Sequence, residues 1–295
     1  LPPDHWEALV LVDGSTDERA RLDESAFPFP LRALNLARQG EVAARNAGAR
    51  RFRTAAARGE VLVFLDDDLR VEPGYLAALL AEHAAHPRAV VLAALYPCLL
   101  PPKTPLQKYA LASEAGRQMG GEVSFVECFS GVMSVSRAGY AEIGGMSPLT
   151  GDGRNAWGGL DFGFRAHQSG YRFRRCAAAV AYHDDYALQN LAISCRRWEN
   201  AAESAPLLFA RYPSLSAALP LFETMFPARR GDAPALAVRR ILRGWTASRP
   251  VLPALTGLAQ LFERVAPLPA LLFPLYRWSI GAHICRGFRR GLRRQ

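Results

Sequence analysis

The apolar run Val61-Leu62-Val63-Phe64-Leu65 passes without a break into Asp66-Asp67-Asp68. A short aliphatic and aromatic run with polar ends reads as a strand buried on both faces, and such strands belong to parallel sheets covered by helices. In open sheets of that kind, ligands bind beyond the carboxyl ends of the strands, which is where the three acids stand. Adjacent carboxylates repel one another unless a positive group sits among them. A divalent Mg2+ or Mn2+, with its preference for oxygen ligands, is the simplest such group. In an extended segment Asp66 and Asp68 share one side and Asp67 takes the other. The competing reading is a solvated acidic turn that caps the next helix; its place directly after VLVFL counts against it.

The flanking sequence repeats the strand–helix alternation. Glu7–Val12 reads as a buried strand that ends in the polar turn Asp13-Gly14-Ser15-Thr16-Asp17. Leu31–Ala37 is a second strand, Gln39–Arg58 a helix stopped by Gly59, and Val61–Leu65 a third strand. Pro73 opens a helix through Ala85, and Ala89–Leu95 is a fourth strand. Ser124–Ser136 reads as one or two strands around Gly131, followed by a short helix. Gly144–Gly159 is a glycine-rich loop, Asp161–Gly170 a helix, and Tyr171–Tyr182 a last strand before His183-Asp184-Asp185. The expected fold is therefore α/β, a mixed and mostly parallel sheet with helices on both faces, followed by a helical C-terminal extension. We place the division near residue 190, with residues 1–190 as the α/β domain and 191–295 as a helical, Arg-rich region.

Several residues at strand ends have the chemistry of a site. Asp13 can accept a hydrogen bond from a nucleotide base, and Gly14 allows close backbone approach beside Ser15. The plain alternative is an ordinary Asx turn. Arg45 and Asn46 can reach a phosphate or position the acidic loop, or lie on a solvated helix face. A carboxylate such as Asp161 can act as a general base, and a neutral imidazole such as His183 can ligate a metal. Asp161 is equally a first-turn acid of its helix, and a lone histidine is more often structural.

The order of these features is more specific than any one of them. A strand before DGSTD, the ARNAG helix, GEVLVFLDDD, a glycine-rich loop, an Asp on the helix ending AHQSGY and a strand ending in His together resemble family 2 glycosyltransferases of the GT-A fold. The resemblance covers about residues 6 to 185. It implies that Asp13, with Ser15 beside it, contacts the nucleotide base and that Arg45 and Asn46 lie near the donor. Asp66, Asp67 and Asp68 then form the DxD-type acidic loop, and Gly131 in FSGVMSVSR lines the donor sugar. Asp68 and His183 would hold a divalent cation, Mg2+ or Mn2+, on the diphosphate. Asp161 is the nearest match for the base that lets the acceptor hydroxyl invert the anomeric centre. Matching from Arg165 instead puts Gly158 and Gly159 under the family's acidic pair, and Asp152 stands in reserve. The family's first strand would lie ahead of Leu1, so that strand is expected to be missing.

Such an enzyme takes a UDP- or GDP-type sugar and a glycan or lipid-linked acceptor, as in the assembly of bacterial cell-envelope polysaccharide. A non-catalytic binding module on the same fold is the rival reading. A nucleotidyltransferase would be expected to carry a glycine-rich phosphate loop with a basic residue, which the sequence lacks.

Charge is concentrated at the end of the chain. Residues 229–295 carry thirteen arginines against Asp232 and Glu263, whereas the whole chain has a net charge of +9. Arginines interleaved with Tyr276, Trp278, Ile280, Ile284 and Phe288 suit either a helix lying in a membrane interface or a helical cap with a basic solvated face. No nucleic-acid module accompanies them, so a nucleic-acid partner is not expected. No apolar run reaches the ~20 residues of a membrane-spanning helix. The five cysteines never form CxxC, which excludes zinc knuckles and favours a reducing compartment. The expected location is cytoplasmic, including the inner face of the membrane.

Overall fold

The computed structural model describes residues 1–2, 5–15, 23–51, 60–149 and 156–295. The chain divides into two compact units. The first takes residues Leu1–Leu95 and Arg117–Ala181, and the second takes Tyr96–Gly116 and Tyr182–Gln295. The division thus falls at 181/182 rather than near 190, and residues 96–116 join the second unit.

In the first unit, β1 (Ala8–Asp13) pairs in parallel with β2 (Leu31–Leu36), Ala8 opposite Leu31 and Asp13 opposite Leu36. The link to α1 (Glu41–Arg51) is four residues long. α1 packs on β1, where a Cβ on Gly48 would stand 2.8 Å from Leu11 Cδ1. The rest of the expected helix to Arg58 lies outside the described residues.

The second sheet of this unit has β3 (Val61–Val63), β4 (Leu69–Val71), β5 (Ala89–Tyr96), β6 (Gly121–Val123), β7 (Met133–Ser136) and β8 (Arg172–His183). Its order is β3-β7-β5-β8-β4, with β6 on β8. β7 lies antiparallel between β3 and β5, and β6 antiparallel to β8, while β1 and β2 pair in parallel, so both pairing senses expected of a mixed α/β fold occur. The expected strand at Ser124–Ser136 is only its last four residues; Phe125–Glu127 and Ser130–Val132 are 3-10 turns.

Burial on both faces of β5 explains its unbroken apolar sequence. Val90 and Leu92 enter one cluster with Leu62, Met133, Val135, Tyr140 and Phe162. Ala89, Val91, Ala93 and Leu95 enter the other with Tyr75, Leu79, Ala179 and Ala181. The alternation is the period of two that a pleated strand imposes. Helix α2 (Tyr75–Ala85) covers the second cluster, α4 (Arg137–Glu142) and α5 (Gly158–Gln168) the first.

The second unit is helical. It holds α3 (Pro105–Ser113), α6 (Leu191–Arg211), α7 (Leu215–Ala218), α8 (Pro220–Glu223), α9 (Pro234–Thr246), α10 (Val251–Val265) and α11 (Pro269–Leu292). α6 and α11 make its longest contact, and glycines bring them close. A Cβ on Gly287 would stand 2.8 Å from the carbonyl carbon of Glu199, and one on Gly291 would stand 2.9 Å from that of Glu203. Glutamates 199 and 203 on α6 then meet Arg286, Arg290 and Arg294 on or after α11. A good part of the C-terminal basic surplus is thus internal. No described helix is long and apolar enough to cross a membrane.

Candidate functional site

The ladder between β3 and β7 continues past the end of β3 and fixes the acidic loop. Phe64 N donates to Met133 O at 2.8 Å, and Asp66 N donates to Gly131 O at 3.2 Å. Asp66 is thereby laid along the turn Ser130–Val132. Only glycine fits opposite it, because a Cβ on Gly131 would stand 2.6 Å from Asp66 Cγ. Two sequence-expected residues, Asp66 and Gly131, are in this way neighbours.

Arg45 joins them from α1. Its Nη1 donates to Ser130 Oγ at 2.8 Å and to Glu41, one helical turn back, while Nη2 is paired with Asp66 Oδ1. Glu41 and Ser130 were not singled out from the sequence. Glu41 stands at i−4 to Arg45, a spacing that pairs side chains on one helix face, and that was the readable signal. Ser130 carries no such signal, since the turn that presents it is set by packing. A positive group does sit among the aspartates, and at Asp66 it is the Arg45 guanidinium. Asp67 is exposed and Asp68 is half-buried.

Packing behind the turn comes from α5. A Cβ on Gly159 would stand 2.6 Å from Cys128 O and 2.8 Å from Ser130 N. A Cβ on Gly163 would stand 2.8 Å from Cys128 Cβ and from Phe125 O. The glycine face of α5 therefore lets segment 125–130 close down, which brings Ser130 to Arg45. Burial pushes the Cys128 thiol up to about 12, so it stays protonated and offers no nucleophile.

Other expected residues have different partners. Both carboxylate oxygens of Asp13 accept backbone amides, Oδ1 from Gln39 N and Oδ2 from Gly40 N, each at 2.7 Å. That carboxylate shapes the entry to α1, and Ser15 beyond it is exposed. Asn46 Oδ1 accepts from Tyr140 Oη at 2.7 Å and Met146 N at 3.0 Å, and Nδ2 donates to Met146 O at 2.8 Å. Asn46 is a brace for the turn at 143–146.

Asp161 acts on the same turn. It is 0% exposed, and its Oδ2 accepts from Arg165 Nε at 3.0 Å and Nη2 at 2.8 Å. Arg165 passes the anchor on, donating to Ile143 O and Gly145 O at 2.7 Å each. A general base must reach a substrate proton. Asp161 is thus fully buried and engaged by Arg165, a structural contact that stands beside the base role expected of it. The reserve candidate Asp152 lies outside the described residues.

His183 closes β8, is buried, and belongs to the second unit, whereas Asp68 belongs to the first. Among the described residues no three His, Cys, Asp or Glu side chains are grouped to hold a metal. The carboxylates of the acidic loop are of the kind that Mg2+ takes together with phosphate oxygens.

Residues 1–133 match the model of the family described as Glycosyl transferase family 2. No curated protein matches the chain. Among solved structures, GalNAc-T7 with UDP, GalNAc and Mn2+ is similar at 15% identity and TM-score 0.46, covering 80% of this chain and 47% of that one. TarS 1-349 from S. aureus in complex with UDP-GlcNAc is similar at 14% identity and TM-score 0.46, covering 99% of this chain and 84% of that one. The chain thus spans less than half of the GalNAc-T7 chain.

Proposed function

We infer that this chain, whose residues 1–133 match the Glycosyl transferase family 2 model, is a glycosyltransferase that moves a sugar from a UDP- or GDP-type donor to the hydroxyl of a glycan or lipid-linked acceptor. The observation that carries the site assignment is Arg45, held between Asp66 and Ser130 where Gly131 leaves room beside the acidic loop. A guanidinium offers five donors in a planar fork suited to phosphate oxygens. At the end of β3 it supplies fixed positive charge where the diphosphate leaves, and it needs no proton transfer to do so. Gly131, without a side chain, lets the Asp66 carboxylate lie against the Ser130–Val132 turn.

Asp66 and Asp68 are the carboxylates that would hold Mg2+ or Mn2+ together with the diphosphate. When bound, such an ion offsets the negative charge that grows on the leaving group. Asp67, exposed, is left for the ribose or for solvent. Asp13 orders the start of α1, and through it Arg45, by capping Gln39 and Gly40; contact with the base falls to the neighbouring Gly14-Ser15 backbone and hydroxyl.

The inverting route needs a carboxylate that reaches the acceptor hydroxyl. With Asp161 engaged by Arg165, that task passes to Asp152. The cysteine usage fits action in the cytoplasm.

The test is thermal-shift titration of the chain with UDP and GDP, each with and without Mn2+, followed by transfer or hydrolysis of the corresponding sugars. Binding raises the melting temperature. The expected result is stabilisation by one nucleotide diphosphate that needs the metal and is lost in Asp68→Ala. Stabilisation that ignores Mn2+, or that survives both Asp66→Ala and Asp68→Ala, would overturn the site.

A further inference from the structure

Helix α9 is amphipathic the wrong way round for a solvated surface. Val238, Ile241, Leu242 and Trp245, at i, i+3, i+4 and i+7, share one face and are 54%, 60%, 47% and 61% exposed. The opposite face turns its polar residues inward. Arg240 is buried, donating to Asp232 Oδ1 at 2.6 Å and Glu223 O at 3.0 Å. Thr246 is buried as well, and Arg243 lies 4.7 Å from the ring centroid of Trp278.

The two helices packed with α9 repeat the pattern. On α10, Leu258, Leu261 and Val265 are exposed at i, i+3 and i+7. On α11, Leu271, Pro274 and Trp278 are exposed at the same spacing, and Leu268 is exposed just ahead of the helix. Single exposed leucines are ordinary, but stripes on three packed helices mark a surface that meets something apolar.

The charges around these stripes say what it meets. Arg229, Arg230, Arg239, Arg249, Arg264, Arg277 and Arg293 are exposed. The two acids of residues 229–295 are half-buried, and Asp232 is paired with Arg240. The exposed charge of this region is therefore predominantly positive. A second copy of the chain would set arginine against arginine. An apolar layer under anionic headgroups satisfies the leucine and tryptophan stripes and the arginines together.

We propose that α9, α10 and the first half of α11 form a monotopic membrane-docking surface that lies in the interface of a bilayer containing anionic phospholipid. The tryptophans 245 and 278 sit at headgroup depth, where an indole has an apolar body and a wet N–H. This goes beyond the transferase reading and does not depend on it.

The experiment is co-sedimentation of the whole chain with vesicles of phosphatidylcholine alone and of phosphatidylcholine with phosphatidylglycerol. Binding is expected to the second kind, to weaken with salt, and to fall by about tenfold or more in Ile241→Ser/Trp245→Ser. Arg239→Gln and Arg249→Gln should each lower it by about fivefold. Brominated acyl chains should quench tryptophan fluorescence, less so in the double serine variant. If that variant melts early, the arginine variants carry the same comparison. Failure to bind either vesicle, or binding that no substitution weakens, overturns the proposal. So does a dimer in sedimentation velocity that the double variant abolishes while vesicle binding is unchanged, since the surface would then serve a second copy.

Discussion

Asp161 and Arg165 stand one helical turn apart on α5, and a single carboxylate oxygen of the aspartate takes two hydrogen bonds, of 3.0 and 2.8 Å, from the arginine. Arg165 in turn holds Ile143 O and Gly145 O, so the turn at 143–145 hangs on a carboxylate with no solvent exposure. Removing one partner of a buried pair leaves the other charge uncompensated, which costs about 3–5 kcal/mol. Asp161→Asn should therefore lower the melting temperature by roughly 6 °C or more for a chain of this size. Were Asp161 also the base, the same variant would in addition lose kcat well below its melting temperature, where it is fully folded. Measuring both in one preparation separates the two roles, with Asp152→Asn expected to lose kcat.

Gly159 gives a second prediction. With backbone atoms of Cys128 and Ser130 at 2.6 and 2.8 Å from its absent Cβ, Gly159→Ala must push the 128–130 segment away. Overpacking of this kind costs about 1–3 kcal/mol. The displacement also draws Ser130 off Arg45, so nucleotide-diphosphate affinity should fall along with stability. An alanine variant that loses stability yet binds nucleotide as before would show that the turn is not coupled to the site.

How much of this was legible in the sequence depends on which force placed each residue. The strands β1, β3 and β5 could be read because continuous apolar runs with polar ends have few other uses, and β2 and β8 because their apolar residues recur between polar ones in short segments bounded by turns. The acidic loop could be read because it follows such a run. Arg45 and Gly131 came with the resemblance, and the structure puts both at Asp66. Ser130 could not be read, since it is delivered by the fit of glycines 159 and 163 against the distant segment 125–130. Asn46 and Asp161 have the residue types of a donor site, and their contacts with the turn at 143–146 join residues too far apart in sequence to be read from it. The C-terminal region could be read as helical, but that does not say which face of a helix looks outward; on α9 the outward face is the apolar one.

Arg45 is the third test. Lysine keeps the charge but not the fork, and cannot hold Ser130 and Asp66 together. Arg45→Lys should weaken nucleotide-diphosphate binding by about 1–2 kcal/mol, the scale of one charge-assisted hydrogen bond. Arg45→Ala, which also removes the charge, should weaken it further. Isothermal titration in the presence of Mn2+ gives the order directly. Equal affinities for the three forms would mean that Arg45 faces no phosphate.

Glu199 makes the stability of the helical unit depend on acid. Its carboxylate is 5% exposed and accepts from His283 Nδ1 at 2.7 Å, from Arg286 Nε and Nη2 at 2.9 and 2.6 Å, and from Arg290 Nη1 at 2.9 Å. Burial pushes its pKa up, but the hydrogen bonds from His283 and Arg286 outweigh this and bring it down to about 2. An unfolded glutamate titrates near 4.3. Between these two values the unfolded chain binds more protons than the folded one. The stabilisation from Glu199 is therefore complete above about pH 5 and is lost as the pH falls through about 2. A difference of roughly two units corresponds to about 3 kcal/mol. Glu199→Gln cannot gain a proton, so the variant should be less stable at neutral pH, and its stability should change less between about pH 5 and pH 2 than that of the parent. Denaturant unfolding of both proteins across that range, followed by helical circular dichroism, measures the difference. Parallel acid limbs would show that the α6–α11 carboxylate is not held by its cationic neighbours.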